Sequence, residues 1–145
     1  MSRTCLFDTN VLIALLWPDH EFHALAQRWF SQHGAQGWAT CALTQSGFIR
    51  IVSNPSFSRL APSVQDALEV LRGSIRHAGH RFWTADIGID EALDYFETPI
   101  VGSKQVMDAY LVGLTIHKRG KLVTLDRRIL GLLGEQAERD MVIVL

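Results

Sequence analysis

Three aspartates, Asp8, Asp108 and Asp126, each stand among apolar neighbours: Leu6-Phe7 before Asp8, Val106-Met107 beside Asp108 and Leu125 before Asp126. In an open α/β sheet, chemistry gathers at the carboxyl ends of the strands, and Asp8 and Asp126 each follow a short strand-like run. Carboxylates brought together in a low dielectric repel one another. A hard divalent cation relieves that repulsion, and Mg2+, with Mn2+ as a substitute, prefers carboxylate and water oxygens. Such a centre can hold a phosphodiester, activate a water and steady the leaving oxygen, so the expected chemistry is metal-assisted hydrolysis of a phosphate ester. Asp8 or Asp126 alone could equally cap the helix that follows it. Three acids at one edge favour the metal.

The elements that must position them are readable from periodicity. Residues 4–7, 38–41, 81–85, 121–125 and 141–145 are short apolar runs of β type. Between them lie helical patterns at residues 11–17, 23–33, 63–78, 89–96 and 127–133, with apolar residues on one stripe. Thr44 is expected to cap a helix closed by Pro55, and Ser103 to cap one reaching Arg119, with Gly120 as its C′ residue. Short buried strands separated by helices are the pattern of a parallel sheet between helical layers, so a three-layer α/β/α domain is expected. The helix carrying Asp108 feeds the fourth strand and must run antiparallel to it. Asp108 then lies about 8 Å below the helix start, at roughly 1.5 Å per residue, near the edge that holds Asp8 and Asp126.

The length of 145 residues fits one domain, residues 1–145. A net charge of −1 excludes binding of nucleic acid through an overall basic surface, so any such contact must be local or carried by metal. No apolar run approaches the roughly 20 residues that span a bilayer, and no leader pattern opens the chain, so a cytoplasmic protein with no membrane contact is expected. Cys5 and Cys41 fall in apolar runs and read as core residues in a reducing compartment.

Other polar residues carry weaker signals. Arg50, Lys104, Arg127 and Arg128 are candidates for phosphate contact; Lys104 lies four residues before Asp108 on the same helical face. Asp86 is expected to open the helix at 89–96, with Asp90 and Glu91 facing solvent. His20 and His23 have a spacing that suits zinc on a helix but lack partner cysteines. Trp17, Trp29, Phe30 and Phe48 are expected in the core or at a dimer contact. A phosphotransferase of the haloacid-dehalogenase type would need a second aspartate two residues after Asp8, where this chain has Asn10.

Four stretches, taken in order, resemble the PIN-domain ribonuclease toxins of the VapC type. They are Leu6-Phe7-Asp8-Thr9-Asn10-Val11-Leu12; Trp38-Ala39-Thr40 through Phe48-Ile49-Arg50-Ile51 and Ser53-Asn54-Pro55; Asp108-Ala109-Tyr110-Leu111; and Leu122-Val123-Thr124-Leu125-Asp126-Arg127. The resemblance spans nearly the whole chain. It implies a PIN fold, Mg2+-dependent endoribonuclease activity on an RNA substrate, a homodimer and a VapB-type antitoxin partner. Asp8, Asp108 and Asp126 match the family's acidic positions, and Asn10 and Thr124 match small polar residues that support them. Gln45 departs from the pattern, since many PIN domains carry glutamate there. Gln45 is expected to point its amide toward the acids as a supporting residue. A PIN-like module that binds RNA or protein with little or no catalysis is the alternative that this substitution raises.

Overall fold

The computed structural model describes residues 3–134 and 139–145. The described strands are β1 (Cys5–Phe7), β2 (Trp38–Cys41), β3 (His80–Trp83), β4 (Lys121–Thr124) and β5 (Val142–Val144). They form one sheet in the order β3-β2-β1-β4-β5, and every neighbouring pair is parallel. The described helices are α1 (Thr9–Leu16), α2 (His23–His33), α3 (Ala42–Val52), α4 (Val64–Ile75), α5 (Ile89–Leu93) and α6 (Val106–His117), with 3-10 turns at Gly34–Gln36, Ser103–Gln105 and Arg127–Leu132.

The alternation of side chains along the strands divides the core between two faces. Cys5, Phe7, Trp38 and Val123 pack with residues of α1 to α4, including Leu12, Phe48 and Leu71. Leu6, Ala39, Cys41, Leu122 and Val142 pack with Ala92 of α5, Leu111 and Leu114 of α6, and Ile129. The first face is aromatic at its centre. Phe7 lies 5.3 Å from Trp38 and 5.6 Å from Trp29, ring centre to ring centre, while Phe30 meets Trp38 edge-on at 5.4 Å. Trp17 packs edge-on against Phe57, and Phe48 is fully buried. Phe48 is thus a core residue, and Trp17, Trp29 and Phe30 pack partly buried against that core. A three-layer α/β/α arrangement with a parallel sheet is thus present, because the central strands β1, β2 and β4 are buried and need cover on both faces.

Chain order reverses at β1. From β1 the chain winds outward through β2 to β3, then returns to the other side of β1 for β4 and β5. The crevice beyond the carboxyl ends of β1 and β4 is therefore the sheet's switch point, the usual ligand position in an open α/β fold. Gly47 lets α3 approach this point closely. A Cβ there would fall 2.9 Å from the side chain of Thr9, the residue after Asp8.

Several local expectations are corrected. Thr44 is not the cap of α3 but its third residue. The helix starts at Ala42 with Cys41 as N-cap, and the Thr44 hydroxyl reaches back to accept the Cys41 N–H at 3.0 Å, one half of a capping box. Ser103 opens a 3-10 turn, and α6 begins only at Val106. The run at 127–133 is 3-10 rather than α-helical, α5 ends at Leu93, and β3 spans His80–Trp83, shifted toward the N-terminus. Asp86 does not open α5, whose N-cap is Gly88. Its carboxylate meets instead Lys118 at 3.0 Å and His117 at 3.2 Å, where the Lys118 cation complements the carboxyl end of α6.

Candidate metal centre

Asp8 follows β1 directly and is 6% exposed. It occupies the N-cap position of α1, yet its side chain makes no capping hydrogen bond there. The carboxylate instead accepts the hydroxyl proton of Thr124 at 2.8 Å, and that hydroxyl oxygen accepts the N–H of Asp126 at 3.0 Å. One buried threonine thus ties the end of β4 to the end of β1. Burial raises the pKa of Asp8; Thr124 and the nearby Thr9 and Asn10 amides oppose that rise, and the charge of Asp126 adds to it.

Asp108 enters from the first turn of α6. Its pKa is raised to about 6, first by burial and then by the charges of Asp8 and Asp126, with Arg128 acting in the opposite sense. This mutual influence places the three acids in one electrostatic neighbourhood, drawn from β1, α6 and β4. Asp126 differs from the other two. It caps the 3-10 turn by accepting the Arg128 N–H at 2.9 Å, and it takes a bidentate guanidinium contact from the same arginine, Nε to Oδ1 at 3.0 Å and Nη2 to Oδ2 at 2.8 Å. That contact is the main cause of its lowered pKa. The capping role considered for Asp126 is therefore present alongside its place at the acidic edge.

The donor set suits a hard divalent cation: carboxylate oxygens in a half-buried crevice, with a guanidinium already neutralising one of them. Among the described residues, no three His, Cys, Asp or Glu side chains already converge into a ligand shell. The acids are electrostatically coupled, while Asp126 is engaged by Arg128. Asp8, Asp108 and Asp126 are the residues that would hold the ion.

The remaining candidates fall in different places. Lys104 lines a small cleft with Asp108 and Arg128. Asn10 is exposed and lines a second cleft with His20, Phe22, Asp126 and Arg128. Arg50 and Arg127 are exposed and line neither cleft. The Gln45 amide donates to Thr40 Oγ1 at 2.9 Å, and the same oxygen lies 2.8 Å from His80 Nε2. Gln45 is thus committed to a neutral network between β2 and β3. His20 and His23 do not share a ligand: His20 Nδ1 accepts the Phe22 N–H, and His23 Nδ1 lies 2.8 Å from the Ala14 carbonyl. The clamp of Arg128 on Asp126 was not anticipated from the sequence. The i, i+2 spacing of Asp126 and Arg128 was the available signal for the clamp. Larger cavities of about 660 and 950 Å³ lie elsewhere, at the amino-terminal sheet edge and between α2 and α4, and neither receives the three acids.

Known proteins resemble the chain in sequence and in fold. A PIN domain family model matches residues 5–132. Ribonuclease VapC39 of Mycobacterium tuberculosis is 37% identical over 142 residues, covering 98% of this chain and 99% of the relative. Ribonuclease VapC38 of the same organism is 39% identical over 131 residues, covering 90% and 91%. Two solved structures share the fold at low identity. VapBC2 from Rickettsia felis, bound to a DNA fragment from its promoter, has a TM-score of 0.61 at 11% identity, covering 98% of this chain and 97% of that one. A toxin–antitoxin complex from Klebsiella pneumoniae has a TM-score of 0.59 at 14% identity, covering 97% and 96%. With acids at the switch point of a parallel α/β sheet and a family match across most of its length, the chain belongs to the PIN-domain family.

Proposed function

We propose that this chain is a metal-dependent endoribonuclease and the toxin of a toxin–antitoxin pair. The observation that carries the reading is the electrostatic coupling of Asp8, Asp108 and Asp126 at the switch point, in a chain whose relatives are named ribonucleases. When bound at these acids, Mg2+ or Mn2+ would supply Lewis acidity toward a phosphate oxygen and a water of lowered pKa. The protein's own part is positional. Asp8 is the rigid ligand, fixed by burial and by Thr124. Asp108, raised to about 6, and Asp126 complete the acidic set. Lys104 borders Asp108 and offers a cation to a phosphate. Arg128 neutralises Asp126, and once displaced it is free to meet a phosphate as well.

A free ribonuclease endangers its host, so a tight protein inhibitor of VapB type is the expected partner. Asp126 accepts a guanidinium through both oxygens, which is the contact an inhibitor's arginine would make at this edge. A homodimer is also proposed. The exposed apolar side chains Ile89, Val106 and Met107 support it, and sedimentation equilibrium would measure it. Cytosolic residence suits the two free, buried cysteines; among the described residues no helix is long and apolar enough to cross a membrane.

The test is cleavage of single-stranded RNA by purified protein. Excess chelator should abolish it, and added Mg2+ or Mn2+ should restore it, because the proposed ligands are all oxygens. Robust cleavage in chelator would overturn the mechanism. RNA binding without cleavage in any divalent metal would instead favour the non-catalytic PIN-like module.

A further inference from the structure

We propose that the cleft between Asn10, the turn at His20–Phe22 and Asp126 is a nucleotide subsite for single-stranded RNA, with the Phe22 ring stacking on one base. This rests on the nuclease reading and assigns part of its substrate site. The cleft holds about 370 Å³, within the small-ligand range of roughly 300–1,000 Å³.

An aromatic ring stands in solvent beside an acid. Phe22 is 41% exposed, as Phe82 and Tyr95 also are in part, and it lines a cleft together with Asp126. The turn presenting it is braced at several points. The His20 N–H donates to the Trp17 carbonyl, the Phe22 N–H to His20 Nδ1 and the His23 N–H to the His20 carbonyl, each at 3.0 Å. His23 Nδ1 ties the start of α2 to the Ala14 carbonyl of α1. A ring held on so braced a backbone loses little conformational entropy on stacking, which is the condition for a platform. The His20 ring lies 5.9 Å from it, tilted by 43°, and accepts at Nδ1, so its Nε2–H remains as a donor.

Glu21 lines the same cleft, and a carboxylate there turns phosphate away. What enters beside Phe22 is therefore a base. Arg128 lines both this cleft and the one containing Lys104 and Asp108. A strand crossing Arg128 would have a base on Phe22, its phosphate at the divalent cation that the three acids would hold, and the next phosphate near Lys104. Such local capture is what a chain of net charge −1 requires.

The experiment measures binding of a fluorescein-labelled oligoadenylate by anisotropy, with Mg2+ present, in an Asp8→Asn background that prevents turnover. Phe22→Ala should weaken binding about tenfold, since stacking on an aromatic ring is worth roughly 1–3 kcal/mol per base and 1.4 kcal/mol is tenfold. Phe22→Trp should bind at least as tightly as Phe22 itself, which separates stacking from mere integrity of the turn. An oligonucleotide of abasic residues should bind weakly, with no dependence on Phe22. Equal binding of oligoadenylate by the alanine variant, or an equal loss on the abasic strand, would overturn the subsite. Failure here with wild-type cleavage intact would leave the nuclease reading standing. Stacking on Phe22 without cleavage in any metal would leave the subsite and remove the nuclease.

Discussion

Thr124 and Thr40 occupy comparable places on the two sides of β1, and their surroundings differ in one respect. Both are fully buried at the carboxyl halves of parallel strands, and both hydroxyls hold two partners. At the β1–β4 seam the partners are the Asp8 carboxylate and the Asp126 amide. At the β2–β3 seam they are the neutral Gln45 amide and the His80 ring, whose pKa is lowered first by burial and then by Arg81 and His77. The fold thus builds the same kind of buried polar knot twice and puts charge into only one of them. The charged knot is the one at the switch point, where α6 adds Asp108. A buried carboxylate is costly unless it is paired or hydrogen-bonded, so the asymmetry supports the proposal that the chemistry lies at this seam.

The strongest way to break this contrast is to neutralise the charged knot at its centre. Asp8→Asn keeps the shape and removes a ligand charge. Single-turnover cleavage of RNA should fall by at least about 100-fold, more than the 10–100-fold typical of losing a supporting partner. Wild-type rates in a folded Asp8→Asn protein would remove Asp8 from the site.

The paired substitution Thr124→Val and Thr40→Val sharpens the contrast. Each should cost on the order of 1–3 kcal/mol, because each strands buried polar partners. Only Thr124→Val should also lower metal affinity and cleavage, by roughly 10–100-fold, since it unties a ligand. Equal cleavage losses at matched stability would mean that the two seams are functionally alike.

The metal-free protein should also report the charged seam through pH. The folded pKa of Asp108 is raised from 3.8 to about 6. The folded state therefore holds the proton longer than the unfolded chain, and stability falls as pH rises from about 4 through 6, then levels off. Asp8, also raised, adds to the same slope. Asp108→Asn should flatten the slope. At neutral pH without metal it should raise the melting temperature by roughly 2–4 °C, for about 1 kcal/mol after allowance for solvent screening. Thermal scans across this range check it; an unchanged slope would mean that Asp108 is not pressed by its neighbours.

Gln45 gives the smallest expected effect. With its amide on Thr40, Gln45→Glu should leave the Mg2+-induced rise in melting temperature no larger than in the unaltered protein. A larger rise would move Gln45 to the acidic side of the contrast.

Much of this was readable in the sequence, for physical reasons. Strand-end acids after Leu6-Phe7 and Leu125, and helical spacing around Asp108, place three carboxylates by topology alone. The parallel sheet follows from strands apolar on both faces. The direction of Gln45 was not readable. A side chain in the first turn of α3 can turn toward β1 or toward β2, and the choice rests on a hydroxyl of Thr40 that pairs with a histidine forty residues away. Asp86 misled for a similar reason, because its partners Lys118 and His117 lie at the far end of α6. The cap of α3 was misassigned because Thr44 works backward, from inside the helix. Phe22 carried no signal, since an aromatic residue in a turn can as well fold back onto the core as stand in solvent, and its type does not say which.

The central claim is that the three coupled acids form one divalent-metal site. Calorimetric titration of Mn2+ onto the metal-free protein tests it most directly. Binding should be saturable, retained by Thr40→Val and severely weakened by Asp8→Asn or Asp108→Asn. Binding unchanged in both aspartate variants would contradict it.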